Sequence, residues 1–192
     1  MRVISGTARG KRLAVFTGTS IRPTPDKVRG AIFNILYSRI GSFTGKKILD
    51  LCSGTGAMAI EALSRGADHA WLVDSGEQAS RIIPANLKAC RVEQRATFMR
   101  TDVYQALRAL RQDAPFDVIF LDPPYGKDMV SGLLGGISAE NLLRTDGIVC
   151  AEAADTDEVP QQIGVLVRVL SRKYGLATVH IYIHPESEVC LQ

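Results

Sequence analysis

An apolar run that ends abruptly at an acid and two prolines places the strongest constraint on the fold of this chain. Residues 118–121 are Val, Ile, Phe and Leu, a composition typical of a strand buried on both faces of a parallel sheet. The strand must stop at Asp122, because Pro123 and Pro124 have no N–H to offer a neighbouring strand. Both faces of such a sheet need covering helices, so the run predicts an α/β protein.

Short apolar strands alternate with helical periodicity through the middle of the chain. The predicted strands are residues 47–51, 70–74, 96–100, 116–121 and 147–151. The predicted helices between them are residues 57–65, a segment ending near residue 91, and residues 103–110. Strands that alternate with helices in this way indicate a parallel sheet with helices on both faces.

Two interruptions and one change of pattern complete the expected architecture. Pro84 predicts a kink or a late start in the second helix, and Gly135-Gly136 predicts a broken helical region. Residues 165–170 and 178–183 flank a turn at Tyr174-Gly175 without an intervening helix, so they predict an antiparallel pair. The expected sheet is mostly parallel, with seven strands of which one is reversed.

The N-terminal part of the chain is strongly basic. Residues 1–47 hold ten Lys and Arg against one acid, a net charge of +9, whereas the rest holds 13 against 19, a net charge of −6. Residues 1–24 have the pattern of a basic β-hairpin or arm, and apolar spacing predicts a helix over residues 26–40. We therefore expect a basic extension, residues 1–42, that binds a polyanion, and a main domain, residues 43–192.

A glycine-rich turn joins the first predicted strand to its helix. Its pattern is Asp50-x-Cys52-x-Gly54-x-Gly56, in which glycine lets the backbone approach a ligand and the helix N-terminus favours an anion. The pattern also resembles a relaxed dinucleotide fingerprint. No Lys-Ser or Lys-Thr pair follows the glycines, so the phosphate loop of nucleotide hydrolases is excluded.

Acids at the ends of successive strands discriminate between the possible cofactors. Asp74 ends the second strand, where a carboxylate reaches ribose hydroxyls, and Asp102 follows the third, where a carboxylate can accept from an adenine amine. Asp50 stands beside the glycine turn, in position to meet an amino group. Amine, ribose and adenine together describe S-adenosylmethionine better than a nicotinamide dinucleotide.

The acid after the central strand suits a different ligand. Asp122 and the Pro123 carbonyl form a rigid pair of acceptors for the two N–H donors of an exocyclic amine, and the Tyr125 ring suits stacking on a base. The four cysteines have no paired spacing, and the histidines no ligand spacing, so no metal site is expected. No apolar run is long enough for a membrane span, and a cytoplasmic protein with reduced thiols is expected.

Several motifs resemble those of one known family. The central motifs are Asp50-Leu51-Cys52-Ser53-Gly54-Thr55-Gly56, Val73-Asp74-Ser75, Thr101-Asp102-Val103 and Asp122-Pro123-Pro124-Tyr125. They look like those of class I S-adenosylmethionine methyltransferases that act on amino nitrogens, and Cys52 stands where an aromatic residue is expected. The N-terminal motifs are Ile4-x-Gly6-x-x-x-Gly10-Lys11-Arg12-Leu13 and Arg22-Pro23-Thr24-x-Asp26-x-Val28-Arg29. Together they resemble the bacterial 16S ribosomal RNA guanine-N2 methyltransferases.

This resemblance implies a Rossmann-like class I methyltransferase fold, a set of site residues and an RNA partner. The implied catalytic residues are Asp122, Pro123, Pro124 and Tyr125. The implied cofactor-binding residues are Asp50, Cys52, Ser53, Gly54, Gly56, Asp74, Ser75, Asp102, Val103, Arg22 and Thr24. The implied RNA-binding residues are Arg2, Arg9, Lys11, Arg12 and Lys127. The expected protein is a monomer that methylates the N2 amine of one flipped guanine in an assembling or assembled small subunit.

Other functions compete with this interpretation. An adenine-N6 methyltransferase on DNA or RNA could use the same tetrapeptide, and a protein glutamine methyltransferase is disfavoured by the basic extension. A non-catalytic RNA-binding protein on a methyltransferase fold would not need the intact Asp122-Pro123-Pro124-Tyr125 motif. An oxidoreductase would have to bind nicotinamide.

Overall fold

The computed structural model describes residues 1–16, 25–124 and 129–188. Its strands are β1 (Lys47–Leu51), β2 (His69–Val73), β3 (Ala96–Met99), β4 (Phe116–Leu121), β5 (Leu143–Ala154), β6 (Gln162–Ile163), β7 (Leu166–Tyr174) and β8 (Ala177–Ile183). Its helices are α1 (Asp26–Ile40), α2 (Ala57–Ser64), α3 (Glu77–Cys90), α4 (Val103–Ala109) and α5 (Met129–Ala139). None of the helices in the described segments is long and apolar enough to cross a lipid bilayer.

The strands of the described residues form one sheet in the order β3-β2-β1-β4-β5-β8-β7-β6. β1 pairs in parallel with β2 on one side and β4 on the other, and β2–β3 and β4–β5 are also parallel. β8 lies antiparallel between β5 and β7, and β6 is antiparallel to β7. The chain order reverses between β1 and β4, and in open α/β sheets ligands bind at the carboxyl ends of the strands beside such a switch point.

The sheet has one strand more than the seven predicted, and a second reversed strand. The additional strand is β6, whose two residues pair with Leu166 and Val167 of β7. A segment of two residues is too short to show the alternation of apolar and polar residues by which strands are recognised. The antiparallel pair predicted around Tyr174-Gly175 is confirmed as β7 and β8.

The predicted break at Gly135-Gly136 is wrong, because α5 is continuous from Met129 to Ala139. A Cβ atom on Gly136 would lie 2.5 Å from Cδ1 of Leu107, and one on Gly132 would lie 2.9 Å from the Tyr104 hydroxyl. The glycines therefore let α5 approach α4 closely. This packing compensates for the low helix propensity of glycine, which destabilises a helix by about 1 kcal/mol per residue relative to alanine.

Of the kink or late start predicted from Pro84, the late start is wrong, because α3 begins at Glu77 and continues past the proline to Cys90; the kink stays a prediction. Pro84 lies on the exposed side of the helix. The carbonyl that it leaves without an intrahelical donor, that of Ser80, can be hydrated on this side, which makes the interruption tolerable.

The predicted N-terminal hairpin is reduced to one antiparallel bridge, between Arg2 and Arg12. The backbone N–H of Val3 donates to the Lys11 carbonyl at 3.0 Å, and that of Gly10 donates to the Val3 carbonyl at 2.9 Å. Residues 17–24, the remainder of the predicted arm, lie outside the described residues. The backbone N–H groups of Ile4, Ser5, Thr7 and Ala8 donate to helix α2 in place of a second strand, which is why the ladder is so short.

A buried carboxylate on α2 holds the N-terminal segment. Glu61 is 0% exposed, and it accepts hydrogen bonds from the backbone N–H groups of Ile4 (2.7 Å) and Ser5 (3.0 Å). Its Oε1 also accepts from Nε of Arg65 at 2.8 Å. The guanidinium of Arg65 in turn lies 4.6 Å from the centroid of the Phe33 ring, so the acid, the base and the aromatic ring form one buried group.

Ser64 makes a second set of contacts with the same segment. Its hydroxyl donates to the Ser5 carbonyl at 2.6 Å and accepts from the Ala8 N–H at 2.9 Å, while its carbonyl accepts from the Thr7 N–H at 2.8 Å. Gly6 has a φ of 82°, and a Cβ there would lie 1.7 Å from the Ser64 carbonyl oxygen. The approach is so close that no other residue fits at this position.

Apolar side chains fill both faces of the sheet. On one face, the Phe33 ring of α1 lies 5.2 Å from the Phe43 ring and 5.6 Å from the Phe120 ring of β4, and Val3 belongs to the same cluster. On the other face, α4 and α5 bury residues such as Leu134 against the sheet. Residues on both sides of the predicted boundary at residue 42 therefore share one core; the boundary itself stays a prediction.

The anchoring role of Glu61 predicts a large loss of stability in Glu61→Ala. Two backbone donors and a guanidinium would lose their buried acceptor, which should lower the free energy of unfolding by about 3–5 kcal/mol. The matched control is Glu77→Ala, which removes an exposed i, i+4 partner of Arg81 and should cost less than about 1 kcal/mol. Urea unfolding measures both, and equal losses would show that Glu61 does not anchor the segment.

Candidate active site

Four acids predicted from the sequence converge at the carboxyl ends of β1, β2 and β4 and the start of α4. Their common neighbour is the thiol of Cys52. Burial raises the pKa of Cys52 to about 12, and the negative charges of Asp74, Asp122, Asp50 and Asp102 add to this effect. All four carboxylates are therefore close enough to act on one atom, and the sheet does bring the predicted site acids together.

The turn between β1 and α2 is fixed by hydrogen bonds of Ser53. Its hydroxyl shares one proton between the carbonyls of Asp50 (2.6 Å) and Val73 (3.1 Å), and its backbone N–H donates to the Val73 carbonyl at 3.0 Å. Its own carbonyl accepts from the N–H of Gly56 at 2.7 Å. Ser53 thus ties the end of β1 to the end of β2, and its predicted cofactor contact is not needed to explain its burial.

The glycines of the turn are required by backbone conformation. Gly54 and Gly56 have φ values of 55° and 75°, in the left-handed region that glycine adopts without strain. A Cβ on Gly56 would lie 3.0 Å from Cδ2 of Leu72, so the turn also packs tightly against β2. Cys52 shares the left-handed conformation, with a φ of 60°, although it has a side chain.

Asp50 is buried below the turn. It is 2% exposed, and its Oδ2 accepts a hydrogen bond from the N–H of Ala59 in α2 at 3.0 Å. Burial raises the pKa of Asp50 to about 7; the Ala59 hydrogen bond opposes the shift and the charge of Asp74 adds to it. The carboxyl group therefore holds the start of α2 and titrates near neutral pH.

Asp74 and Asp102 use backbone donors in the same way. Asp74 accepts from the N–H of Gly54 through Oδ2 (2.8 Å) and from the N–H of Gly76 through Oδ1 (2.7 Å), with Ser75 exposed between them. Asp102 caps α4, its Oδ1 accepting from the N–H groups of Tyr104 (2.9 Å) and Gln105 (3.3 Å), and Val103 beside it is buried. Each acid is held by main-chain amides and keeps further acceptor capacity for a ligand.

Asp122 is the first residue after β4, and its backbone N–H donates to the Leu51 carbonyl at 3.4 Å. Its side chain is exposed, Pro123 is buried and Pro124 is exposed. The end of β4 therefore lies directly against the end of β1, where the glycine turn begins. Four predicted site residues lie outside the described residues: Tyr125, Lys127, Arg22 and Thr24.

The predicted RNA-binding residues Arg2, Arg9, Lys11 and Arg12 are all exposed on the N-terminal segment. The structure brings this segment to the glycine turn through Asn86 of α3, a residue that the sequence analysis missed. Asn86 exchanges hydrogen bonds with the backbone of Ala14 (2.8 and 3.1 Å) and donates to the Thr55 carbonyl at 2.9 Å. An asparagine on a helix gives no sequence signal of such a contact.

Phe16 is a second residue near the site that the sequence analysis missed. A Cβ on Gly54 would meet no described residue other than Phe16, whose ring lies 3.6 Å from that point. This separation is an ordinary van der Waals contact, so the Phe16 ring packs directly over the glycine turn. In all the described residues, including this site, no group of three or more His, Cys, Asp or Glu side chains could hold a metal ion.

The same arrangement of sheet and helices occurs in a known structure. The Escherichia coli protein called "Putative methyltransferase yhhF" matches with a TM-score of 0.81 and 24% identity, over 98% of this chain and 99% of that chain. The sheet order, the glycine turn and the acids at the strand ends define an S-adenosylmethionine-dependent methyltransferase with a class I fold.

The chain belongs to the family described as "Conserved hypothetical protein 95", whose model matches residues 1–183. A Bacillus subtilis protein named "Putative rRNA methyltransferase YlbH" is 40% identical over 183 residues, which cover 95% of this chain and 98% of that protein. A Haemophilus influenzae protein named "Ribosomal RNA small subunit methyltransferase D" is 29% identical over 154 residues, which cover 79% of this chain and 78% of that protein.

The raised pKa of Asp50 predicts a defined pH dependence of stability. Asp50 keeps its proton in the folded state up to pH about 7, whereas in the unfolded state it ionises above pH 3.8. The free energy of unfolding therefore falls as pH rises between these two values. Relative to Asp50→Asn, the wild type should lose about 1.4 kcal/mol of unfolding free energy per pH unit from pH 5 to 6.5. The difference should be constant above pH 8. Urea unfolding across this range measures it, and a difference independent of pH would contradict the shift.

The position of Asp74 predicts a loss of cofactor affinity in Asp74→Ala. Removing the carboxylate takes away acceptors for ribose hydroxyls and loosens Gly54, so binding of S-adenosylhomocysteine should weaken by roughly 1.5–3 kcal/mol. The control is Asp68→Ala, an exposed acid before the opposite end of β2, which should leave the affinity unchanged. Calorimetry that finds the wild-type affinity in Asp74→Ala would remove this residue from the site.

Proposed function

We propose that this protein methylates the N2 amine of one guanine in 16S ribosomal RNA of the small subunit. The observation that carries the proposal is the position of Asp122-Pro123-Pro124, which follows β4 directly and lies beside the glycine turn after β1. The relatives named as rRNA methyltransferases support RNA as the substrate. We further propose that the protein acts as a monomer, in the cytoplasm, on an assembling or assembled subunit.

The residues that would hold the cofactor are those of the glycine turn and of the acids around it. Asp74 would accept from the ribose hydroxyls, Asp102 from the adenine amine and Asp50 from the amino group, while Gly54 lets the backbone approach. When bound, S-adenosylmethionine supplies an electrophilic methyl group on a sulfonium. The concentration of negative charge around Cys52 favours a cofactor with cationic groups.

Asp122 and the Pro123 carbonyl would hold the reacting amine. Guanine N2 is a poor nucleophile, because its lone pair is delocalised into the ring. Two hydrogen bonds, one to the carboxylate and one to the carbonyl, would fix the amine in position and favour a more pyramidal nitrogen. Orientation of this kind supplies roughly 7–11 kcal/mol of barrier reduction in well-positioned systems. The Asp122 carboxylate would also stabilise the positive charge that builds on nitrogen during attack.

The target base would leave its stack to reach this site. An amine inside a paired RNA hairpin cannot contact Asp122, and enzymes that act on such atoms extrude the nucleotide. We propose that the Tyr125 ring stacks on the extruded base, and that Lys127 contacts the RNA backbone. We also propose that Arg22 and Thr24 close over the methionine end of the cofactor.

Exposed arginine and lysine side chains on the N-terminal segment would bind the surrounding RNA. Arg2, Arg9, Lys11 and Arg12 project from a segment whose backbone is anchored to the buried Glu61 and, through Asn86, to the glycine turn. Phosphates held by these side chains would therefore have a fixed position relative to the site, because the segment is bonded to the body of the domain.

Methyl transfer to isolated small subunits tests the proposal. Subunits from cells that lack this protein, incubated with it and with tritiated S-adenosylmethionine, should accept one methyl group per particle. Nucleoside analysis should identify N2-methylguanosine. Recovery of N6-methyladenosine would instead support the adenine-specific alternative, and no transfer to particles or to naked 16S RNA would overturn the proposed function.

Substitutions of Asp122 should separate orientation from charge in the chemical step. Asparagine still accepts a hydrogen bond through its side-chain oxygen, so Asp122→Asn should keep measurable activity, whereas Asp122→Ala should lose nearly all of it. Single-turnover methylation at saturating cofactor and RNA isolates this step from binding. Equal residual rates in the two variants would show that the charge is the larger contribution, and wild-type rates in both would remove Asp122 from catalysis.

A further inference from the structure

Glu152 is an acid beside Asp122. It belongs to none of the motifs found in the sequence. In the parallel pairing of β4 with β5, Phe120 lies opposite Cys150 and Leu121 opposite Ala151. One step further in this register, Asp122 comes opposite Glu152. Neighbouring strands lie about 4.8 Å apart, so the two acids leave adjacent strands at the same level of the sheet.

The two side chains are also on the same face of the sheet. Side chains alternate along a strand, and Phe120 and Cys150, two residues before Asp122 and Glu152, belong to the core cluster on the α1 side. The thiol of Cys150 lies near both acids: burial raises its pKa, and the charges of Glu152 and Asp122 raise it further. Glu152 therefore points toward the region where Asp122 begins the proposed amine site.

Burial distinguishes the two acids. Asp122 is exposed, whereas Glu152 is only 8% exposed, behind it on β5. A carboxylate is rarely buried unless hydrogen-bond donors compensate the cost, and two carboxylates that face one site increase that cost. A ligand that brings two adjacent N–H donors would suit such a pair. Each carboxylate has about four lone-pair positions, so Glu152 can accept from a ligand in addition to any contact within the protein.

Guanine presents two adjacent donors of this kind. Its Watson–Crick edge carries the N2 amine and, next to it, the N1–H, whereas adenine has an unprotonated acceptor at N1. We propose that Glu152 is a specificity-determining residue whose carboxylate accepts the N1–H of the target guanine while Asp122 binds the N2 amine. This inference rests on the proposed function. The enzyme would reject adenine, because the N1 lone pair of adenine would face a buried carboxylate that has no proton to donate in a hydrogen bond.

The first test uses the wild-type protein and needs no substitution. Small-subunit RNA is prepared with guanine or with 2-aminopurine at the methylated position and assembled into particles. 2-Aminopurine keeps the reacting 2-amine but has neither the N1 proton nor the 6-oxo group of guanine, so the comparison with Glu152→Gln assigns the preference to one residue. Methyl transfer to guanine should be faster in kcat/KM by on the order of 100-fold, the effect of a charge-assisted hydrogen bond in a buried site. Rates within threefold of each other would overturn the role of Glu152.

The second test compares Glu152→Gln with Glu158→Gln, an exposed acid six residues later in the chain. The glutamine at position 152 keeps an acceptor oxygen and gains an N–H donor that can pair with an unprotonated N1. The preference for guanine over 2-aminopurine should therefore fall by at least tenfold in Glu152→Gln and stay at the wild-type value in Glu158→Gln. If both substrates slow by the same factor in Glu152→Gln, the residue is structural and the proposal is wrong.

Two controls separate the possible failures. Calorimetric binding of S-adenosylhomocysteine to Glu152→Gln establishes that the variant is folded. If it does not fold, the wild-type comparison remains, in which a preference for guanine supports the proposal and equal rates on the two bases overturn it. Wild-type protein that forms no N2-methylguanosine on guanine-containing particles would overturn the proposed function itself, and this inference with it. Formation of N2-methylguanosine without base preference would overturn only the role of Glu152.

Discussion

The parallel pairing of β1 with β2 on one side and β4 on the other is the constraint on which the site depends. Strands that run in the same direction end at the same edge, so residues that are far apart in the chain meet there. Asp50, Asp74 and Asp122 reach the site for this reason. A reversal of any one of these strands would carry its acid to the opposite edge.

Bringing four carboxylates together has an electrostatic cost, and the backbone carries much of the compensation. Burial is the main cause of the raised pKa values of Asp50 and Cys52, and the charges of the neighbouring acids raise them further. Asp50, Asp74 and Asp102 each accept from a backbone N–H at or next to the first turn of a helix. These donors are fixed by the fold, so they hold the carboxyl groups in position for a cationic cofactor without mobile counter-charges.

The basic N-terminal segment is part of the same structure. Val3, Ala8 and Leu13 of this segment are buried in the core, and its backbone is bonded to α2 through Glu61 and to the glycine turn through Asn86. A flexible arm would attract RNA equally well by charge, but it would not fix the position of the RNA. The hydrogen bonds of Asn86 place the turn and the basic segment in one rigid unit, so a phosphate bound at one has a defined distance to the other.

The sequence by itself determined the strands other than β6, the order of the helices and the residues at the strand ends. Helix α1 and strand β1 have the predicted bounds, and Asp50, Asp74, Asp102 and Asp122 converge as their positions implied, because local apolar periodicity and strand direction are sufficient to place them. Their contacts with cofactor and RNA remain predictions.

Only the tertiary structure decided which polar groups are buried and what they bond. Glu61 and Asn86 have no local signal of their role, because the backbone groups of the N-terminal segment that they hold lie more than 50 residues away, and Glu152 comes opposite Asp122 only through the pairing of two strands. The continuity of α5 and the shortness of the N-terminal bridge also result from contacts between segments that are distant in the chain. Glycine in α5 is tolerated because Leu107 packs against it, and the N-terminal backbone bonds to a helix where the sequence predicted a strand. Such contacts depend on which surfaces meet, and local sequence pattern does not contain that information.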